Sequence, residues 1–215
     1  MAARSGINGG TRERLLEAAG EVFAQHGFRA ATVRDICHRA ESNVAAVNYH
    51  FGSKEALYAA VFQYAHECAE RELPGATETG DGVTAEERLH RFVRSFLLRM
   101  FGDGRPSWYG KLMAREMIEP TSALDAVIER SIRPRYDLLV SIVEELAGGN
   151  MPAGAARLCA SSVVGQIMHF HRGRPVITRL NPRLTYQPED IEALADHITW
   201  FSLAALKNLR AEESA

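Results

Sequence analysis

The chain has 215 residues, of which 46% are hydrophobic, and its formal net charge at pH 7 is -2. This length allows one large domain, or a small domain joined to a larger one, with enough apolar residues for a buried core. The charge excludes a protein that is basic throughout, so any binding of nucleic acid must depend on a local basic surface.

The cysteines indicate a reducing compartment. Cys37, Cys68 and Cys159 are far apart and show no CxxC or Cys/His spacing, which argues against a zinc site or a disulfide framework. The N-terminus lacks the apolar stretch of a signal peptide, and no segment approaches the ~18 apolar residues of a membrane span. We therefore expect a cytoplasmic protein without a cofactor, a metal or a membrane partner.

Helical periodicity dominates the first third of the chain. Apolar residues on one face predict a first helix: Leu15, Ala19, Val22 and Phe23. We expect this helix to end near Gly27. Thr32 and Asp35 have the spacing of a capping box, which predicts the start of a short second helix. A break at residues 41–43 precedes a third short helix over about 44–49. Gly52 ends that helix, and Ser53 caps a long fourth one.

The remainder also has a helical pattern. The Gly-, Thr- and acid-rich stretch 74–83 predicts a loop and a domain boundary, and 102–106 a turn. Thr84 with Glu87, and Ser122 with Asp125, have capping-box spacing. Pro134 predicts a kink or a break within a helix that runs to about residue 147. Apolar helices follow over about 152–171 and 188–210, joined by a polar, Pro-rich stretch.

These elements predict an all-α protein. A three-helix, helix-turn-helix domain is expected in residues 1–55, followed by a larger helical domain in residues 56–215. The stretches in which apolar and polar residues alternate are short, and none is followed by the residue pair of a hairpin turn. We therefore predict no strand.

The segment TVRDICHRAESNVAAVNYHFGSK, residues 32–54, carries the functional prediction. Ile36, Ala40 and Val47 supply the apolar contacts between two short helices, and Asn43 is placed to cap the second one. The second helix of such a pair enters the major groove of DNA by its N-terminal end. The side chains expected to face outward are those of Val44, Ala45, Ala46, Asn48 and Tyr49. Asn48 suits adenine, and the small apolar side chains suit thymine methyl groups.

Phosphate contacts are predicted at the flanks of this helix. Thr32 and Arg34 lie at the start of one helix, and Lys54 at the start of another, where free amides favour anions. Tyr49 and His50 can add hydrogen bonds. The alternative is a plain helical hairpin in which Tyr49 and His50 are core residues, as we expect for Phe51.

The N-terminal region is only weakly basic. Seven basic residues oppose five acidic ones, so two such domains would have to act together for useful affinity. The basic residues are Arg4, Arg12, Arg14, Arg29, Arg34, Arg39 and Lys54, and the acidic ones are Glu13, Glu17, Glu21, Asp35 and Glu41.

Residues 11–64 resemble the N-terminal domain of the TetR (tetracycline repressor) family. The matching pieces are RERLLEAAGEVFAQHGFRAATVRDI and VNYHFGSKEALYAAV. The resemblance implies a regulator that binds an operator as a dimer and releases it when a ligand enters the C-terminal domain. It also implies that Thr32, Tyr49 and Lys54 contact phosphate, and that residues 44–46 and Asn48 face the bases.

The chain departs from the family pattern at two places. The family often has Gly-Val in the turn, where this chain has Glu41-Ser42, and an aromatic residue where Asn48 precedes Tyr49. The first departure affects the expected orientation of the third helix, which is predicted to enter the major groove. The second affects the base preference of that helix.

The C-terminal part resembles the TetR subgroup with a CecR/CerR-like sensor domain. The similar pieces are RPSWYGKLMAREMIEP, IRPRYDLLVSIVEELAG and VVGQIMHFHRGRPVI. A small-molecule effector of unknown identity is implied. The residues predicted to line its apolar pocket are Trp108, Met113, Met117 and Tyr136, with Arg115, Arg133, Gln166 and His169 as polar groups; Glu116 is a further polar candidate. The alternative is that Trp108 and the methionines are core residues.

The last two helices predict a homodimer. Each is apolar over more than one face, as expected for a helix that packs on its own core and on a second copy. On the first of them the predicted seam is Ala160, Ser161, Val164, Gly165 and Met168. On the second helix, Ile191, Leu194, Ile198, Phe201 and Ala205 form one apolar stripe, which Trp200, Leu203 and Leu206 extend round the helix. His169 and His171 lie two residues apart, which suits a role at the helix C-terminus better than a shared metal.

Two other classes of function were weighed. An enzyme is disfavoured because the chain has no GxSxG, HExxH, phosphate-loop or Cys/His motif. A helical adaptor that binds protein would use the same helices without needing Tyr49 and Lys54. The favoured interpretation is a ligand-controlled regulator that binds double-stranded DNA as a homodimer. Among regulators, we expect a repressor rather than an activator.

Overall fold

The computed structural model describes residues 7–72, 82–101, 106–148 and 151–212. Within these ranges the chain is helical and has no strand, which confirms the all-α prediction. The helices are α1 (Ile7–Ala30), α2 (Val33–Arg39), α3 (Val44–Phe51), α4 (Lys54–Glu72), α5 (Ala85–Phe101), α6 (Tyr109–Ile118), α7 (Ser122–Val127), α8 (Arg133–Leu146), α9 (Ala155–Arg172), α10 (Arg174–Leu180) and α11 (Pro188–Glu212). The loop and turn predicted at 74–83 and 102–106 lie almost wholly outside the described residues.

Two compact units make up the chain. The first contains α1 to α4 together with α6 and α7, and the second contains α5 and α8 to α11. Residues that are distant in sequence thus share a core. The predicted functional division into residues 1–55 and 56–215 stays a prediction, whereas these units describe packing.

The core of the first unit is built around aromatic residues of α1 and α4. The rings of Phe23 and Tyr58 meet edge to face with centroids 4.7 Å apart, and Phe62 meets Tyr58 at 5.2 Å. The predicted apolar face of α1 is buried as a whole, including Leu15 and Val22. Such edge-to-face pairs add to the free energy gained from burial alone.

Helix α6 lies along α1 in the same direction. The Trp108 indole, just before α6, donates to Glu17 Oε2 over 2.7 Å, and Arg115 Nε donates to the carbonyl of Ala24 over 2.9 Å. Both the donors and the acceptors are separated by seven residues, which is two helical turns or about 10.5 Å. The two contacts therefore fix the register of α6 on α1.

A glycine makes this close approach possible. A Cβ atom at Gly20 would overlap the ring of Trp108. Further along α1, Gly27 leaves the helical conformation with φ 78° and ψ 167°, a backbone region that is essentially restricted to glycine. The predicted end of the first helix near Gly27 is confirmed as a break, after which one more turn continues to Ala30.

In the region 118–147 the predicted cap at Ser122 was wrong, whereas the kink or break expected at Pro134 is confirmed. The N-cap of α7 is Thr121, whose hydroxyl accepts from the backbone N–H of Ala123, and Ser122 is the first helical residue. The cap shifts because the Glu116 carboxylate accepts from the Thr121 N–H and holds it at the cap position. The helix is also interrupted before Pro134 by the π-helical segment Ile128–Ile132. Proline has no N–H and its ring crowds the carbonyl four residues earlier, which explains the wider turn.

In the second unit, α5 contacts α8, α9 and α11. It begins at the predicted capping box, in which the Thr84 N–H donates to Glu87 Oε2 over 2.9 Å and Glu87 N–H donates to Thr84 Oγ1 over 3.2 Å. These bonds hold the pKa of Glu87 below its ordinary value. The buried face of α5 carries Leu89, Val93 and Leu97.

Ion pairs join α5 to α11 at the surface. Arg94 Nε donates to both oxygens of Glu192 over 2.8 Å, and His90 lies 2.9 Å from Asp196. The Arg94 pairing lowers the pKa of Glu192. Such exposed pairs contribute little free energy each, so they orient the two helices more than they stabilise them.

The stretch between α9 and α11 contains a helix that the sequence analysis missed. Residues 174–180 form α10, with Pro175 in its first turn, a position that proline favours. Tyr186 follows in the left-handed region with φ 62°, stacked on Phe101 at 4.8 Å and covered by the Arg174 guanidinium. Its hydroxyl donates to the carbonyl of Phe170, so one side chain ties this connection to α9 and α5.

The three cysteines are unbridged, with Cys37 buried. Among the described residues no group of three or more His, Cys, Asp or Glu side chains is arranged to hold a metal ion. Within the same ranges, no helix combines the length and the apolar character needed to cross a membrane.

Replacing Gly20 by alanine should reduce the free energy of unfolding by about 1–3 kcal/mol, because the new Cβ displaces Trp108. Gly10 is the matched control on the same helix, since a Cβ there has no neighbour within 4 Å. Gly10→Ala should be neutral or stabilising by up to about 1 kcal/mol. Urea unfolding of both variants measures the difference, and equal stabilities would contradict the placement of Trp108.

Candidate DNA-binding site

Helix α2 begins at the predicted capping box. The Asp35 backbone N–H donates to Thr32 Oγ1 over 3.1 Å, and the Thr32 hydroxyl donates to Asp35 Oδ2 over 2.6 Å. Thr32, Arg34 and Asp35 are exposed, whereas Ile36 is fully buried. The cap leaves the Thr32 and Arg34 side chains on the surface, but the Thr32 proton must leave Asp35 before it can reach a phosphate.

The turn between α2 and α3 is a Schellman motif without glycine. The Ser42 N–H donates to the carbonyl of Cys37 over 2.9 Å, and the Glu41 N–H donates to that of His38 over 3.3 Å. Glu41 adopts φ 48°, the left-handed conformation that usually falls to glycine. The turn therefore has regular geometry although its sequence departs from the family pattern.

Helix α3 is held with one face outward. Asn43 Oδ1 accepts from the backbone N–H of Ala46 over 2.9 Å, which confirms the predicted cap. Val47 is 1% exposed and Ala46 packs partly on the core, while Val44, Ala45 and Asn48 are exposed. Val44, Ala45 and Asn48 thus form a continuous outward face at the helix N-terminus, and Ala46 stands at its edge.

The aromatic residues after this face differ in burial. Tyr49 is 81% exposed, which argues against the plain-hairpin alternative for this residue. His50 is half-buried and its ring meets that of Tyr49 at 5.0 Å. Phe51 packs partly against the core, as expected, with the Arg12 guanidinium over its ring.

Helix α4 begins beside this surface. Gly52 ends α3 with φ 78°, and Ser53 Oγ accepts from the Ala56 N–H over 3.1 Å. The pKa of Glu55 lies below its ordinary value because its carboxylate accepts from its own backbone N–H and from Ser53. The start of α4 thus already stabilises one negative charge, as an anion site would.

Lys54 is directed toward the protein. Its Nζ donates to the carbonyl of Arg29 over 3.4 Å and lies 4.7 Å from the ring centroid of Phe28. A long bond of this kind is weak, so the ammonium group can exchange it for a phosphate oxygen.

Part of the basic charge predicted for this region is used internally. Arg39 pairs with Glu21 over 2.6 Å, and Arg14 donates to Thr11. Arg34 is exposed at the start of α2 and faces solvent together with Thr32. The surface that can meet phosphate is therefore small, in agreement with a weak single domain.

The residues predicted to line a ligand pocket fall in both units. Trp108, Met113, Arg115 and Met117 belong to the first unit, and Arg133, Tyr136, Gln166 and His169 to the second. Trp108 is buried, Met113 packs partly on the core, and Met117 is exposed. The polar atoms of Trp108 and Arg115 bind Glu17 and the carbonyls of Ala24 and Gln25.

In the second unit, the Tyr136 hydroxyl donates to the carbonyl of Arg157 over 2.8 Å and lies 3.0 Å from Ser161 Oγ. Gln166 Nε2 donates to Ser202 Oγ over 3.3 Å, which joins α9 to α11. Arg133 and His169 are exposed. The ligand roles of all eight residues stay predictions.

Two surface grooves were found among the described residues. One, of about 640 Å³, runs along α1 beside the turn after α2 and is lined by Glu13, Glu17, Glu21 and Glu41, among others. The other, of about 430 Å³, lies between α5 and α11 beside Trp200. Neither is lined by a residue predicted to bind the ligand.

A buried carboxylate was underestimated by sequence reasoning. Glu116 is 1% exposed and accepts from the Tyr58 hydroxyl over 2.7 Å, and from the N–H and hydroxyl of Thr121 over 2.6 and 2.8 Å. Burial, together with the hydrogen bond to the Glu116 carboxylate, raises the pKa of Tyr58. No local motif could indicate this role, because Tyr58 lies 58 residues away.

Comparison with known proteins identifies the family. Residues 15–61 match the family described as bacterial regulatory proteins, tetR family, and residues 85–206 match the C-terminal domain of the HTH-type transcriptional dual regulator CecR. The second match alone covers more than half of the chain. The chain belongs to the TetR family. It is a DNA-binding transcriptional regulator with a CecR-type C-terminal domain.

Relatives of this TetR-family regulator are similar along most of their length. CecR from Shigella flexneri is 27% identical over 87% of both chains, and the transcriptional repressor NicS from Pseudomonas putida is 26% identical over 93% of this chain and 92% of its own. A crystal structure of a transcriptional regulator from Pseudomonas aeruginosa PAO1 has a TM-score of 0.67 at 26% identity, covering 92% of this chain and 93% of that chain. Both named relatives are regulators, in line with the interpretation of a regulator rather than an enzyme.

Replacing Glu41 by glycine should increase the free energy of unfolding by up to about 1 kcal/mol, because the left-handed conformation no longer strains a side chain. Glu41→Ala is the matched control: it removes the same carboxylate but keeps the Cβ, so it should bring no such gain. Thermal unfolding of both variants measures the effect. A Gly variant no more stable than the Ala variant would contradict the conformation of the turn.

Proposed function

We propose that this TetR-family protein is a cytoplasmic, ligand-responsive repressor that binds a palindromic operator as a homodimer and is released by a small-molecule effector. DNA binding is assigned to residues 1–55, and dimerisation with effector binding to residues 56–215. The observation that carries the proposal is the outward face of α3, with Val44, Ala45 and Asn48 exposed beside a capped N-terminus.

The proposed base contacts follow from the chemistry of this face. Asn48 offers an amide that can pair with adenine in the major groove, and Val44 and Ala45 offer apolar contacts for thymine methyl groups. Ala46, at the edge of the face, contributes at most one methyl contact. Asn43 holds the helix start through its side chain, so its contribution to base reading is indirect.

Phosphate contacts are proposed for residues around this face. The exposed Tyr49, Thr32 and Arg34 flank it, and His50 and Lys54 lie at its C-terminal side. Such contacts position the helix without reading sequence. Because the basic charge is limited, each domain binds weakly, and two domains in a dimer provide the affinity.

The second unit supports a homodimer by the apolar residues that it leaves in solvent. On α11, Trp200 is 65% and Phe201 54% exposed, although Ile191, Leu194 and Ile198 of the same helix are buried. On α9, Ser161 and Gly165 are exposed and permit close approach of a second helix. Both helices thus have one face for the core and one for a second copy.

Repression and effector release are proposed from the relatives. NicS is named a repressor and CecR a dual regulator. The effector is placed in the C-terminal domain, and its chemistry is unassigned. Trp108 and Arg115 would have to give up existing hydrogen bonds to bind it, which argues against these two residues as effector ligands. Release requires that the effector bind more tightly to a non-operator state of the dimer.

Selection of bound sequences from random double-stranded DNA tests the proposal. We expect a palindrome whose half-sites are centred one helical turn, about 10–10.5 base pairs, or a multiple of it, apart. Recovery of no enriched sequence, or of a single asymmetric site, would exclude an operator read by two symmetric domains.

Replacing Asn48 by alanine should remove selectivity at one base pair of each half-site, at a cost of about 1–3 kcal/mol for the preferred base. Lys54→Ala provides the contrast: it should weaken binding to all DNA sequences alike and reduce by about one the slope of log affinity against log salt concentration. Fluorescence anisotropy at several salt concentrations measures both. Uniform weakening by Asn48→Ala would assign that residue to the phosphate backbone instead.

Replacing Phe201 by glutamate should convert the dimer to monomer, because a charge would be buried in the proposed interface. Val176→Glu on α10 is the matched control, since Val176 is 61% exposed and lies outside the proposed faces. Size-exclusion chromatography with light scattering measures the mass of each. A dimeric Phe201→Glu variant would place the interface elsewhere.

A further inference from the structure

The end of α1 leaves backbone carbonyls that need partners. Where Gly27 departs from the helical conformation, the preceding carbonyls lose the N–H groups four residues ahead of them. Arg115 of α6 supplies the missing donors. Its Nε donates to Ala24 over 2.9 Å and its Nη2 donates to Gln25 over 2.8 Å.

The guanidinium group suits this position in three ways. Its rigid, planar fork presents separate nitrogen donors to two consecutive carbonyls, a geometry that the single nitrogen of an ammonium group does not offer. Its positive charge lies at the negative end of the α1 dipole. A Cβ at Gly27 would lie 3.3 Å from Arg115 Nη1, so the glycine also leaves room for it.

The orientation of Arg115 is fixed from its own helix. The next residue, Glu116, is anchored to Tyr58 of α4 and to Thr121 at the cap of α7. Two turns earlier, Trp108 is anchored to Glu17. The rotation and register of α6 are thereby set by contacts on both sides, which places the Arg115 side chain beside the α1 carbonyls.

The segment held by Arg115 leads directly to the reading helix. Residues 27–31 contain the last turn of α1 after its break at Gly27, and they connect the main part of α1 to the cap of α2. Helix α2 in turn packs on α3. Phe28 packs against Tyr58 at 4.9 Å, and Lys54 donates to the carbonyl of Arg29. Arg115 fixes the upstream end of this link, and the packing of Phe28 on the core fixes its downstream end.

From these contacts we infer that Arg115 is a positioning residue for DNA reading: it fixes the exit of the chain from α1 and so the placement of α2 and α3 on the operator. The inference rests on the proposed operator binding and adds a residue of α6 to the determinants of sequence selectivity. Arg115 is half-buried, and its Nε and one Nη2 donor are used inside the protein, so the inferred role requires no contact with DNA.

Three variants of the full chain test this role. Arg115→Met keeps an unbranched apolar stem and removes all donors, and Arg115→Lys keeps the charge but loses the fork. Lys111→Met is the matched control, because Lys111 is an exposed cation one turn earlier on the same helix. Circular dichroism identifies a temperature at which every variant is folded, and dissociation constants for the selected site and for a random duplex are measured there.

Arg115→Met should weaken binding to the selected site about tenfold, comparable to the loss of one base contact, and leave binding to the random duplex and its salt slope unchanged. Arg115→Lys should fall between it and the wild type, and Lys111→Met should match the wild type. If Arg115→Met does not fold, Arg115→Lys carries the same comparison with an expected loss of a few-fold.

Two results would overturn the inference. A lower melting temperature with unchanged affinity of the folded protein would reduce Arg115 to a stabilising contact. Equal weakening for both duplexes, with a smaller salt slope, would make it a direct phosphate ligand. If the wild-type protein itself selects no sequence, the proposed operator binding fails first, which is a separate outcome.

Discussion

The burial of Val47 against α2 determines how the rest of this protein can work. α3 is only eight residues long, and Val47 is its one fully buried residue, so the packing of this side chain near Ile36 and Ala40 decides which face is left in solvent. A small helix held by one buried residue and one cap has its opposite side free along its N-terminal turn. The outward placement of Asn48 and Tyr49 is a consequence of that packing, and everything proposed about DNA depends on it.

The first unit gives this short helix a rigid support. α1 and α4 enclose the aromatic core of Phe23 and Tyr58, and α6 lies on α1 in a register set by Trp108 and Arg115. A reading surface built on a firm scaffold can discriminate between bases, because small displacements of a side chain lose directional hydrogen bonds. Helix α1, which precedes α3 in sequence, and helix α6, which follows it much later in the chain, thus contribute to the same support.

The features that were predictable from the sequence are those whose partners are close in the chain. The caps at Thr32, Asn43 and Thr84 each bond to a residue three positions later, and the break at Gly27 reflects the conformational freedom of one residue. The role of Arg115 was not predictable, since its acceptors are backbone carbonyls some 90 residues away that carry no side-chain pattern. Likewise, the cap at Thr121 depends on Glu116, which lies outside the four residues of a capping box. The ligand pocket was predicted from residue types alone, and the predicted residues belong to both units.

The contact between Gly20 and Trp108 has a consequence for how this family varies. Because the indole occupies the space that any larger residue at position 20 would need, neither position can change freely while the other is kept. Related regulators in which a bulkier residue stands at the equivalent of Gly20 should carry a smaller side chain at the equivalent of Trp108. Covariation between two sites 88 positions apart would then record the contact of α6 with α1 across evolution, independently of any coordinate.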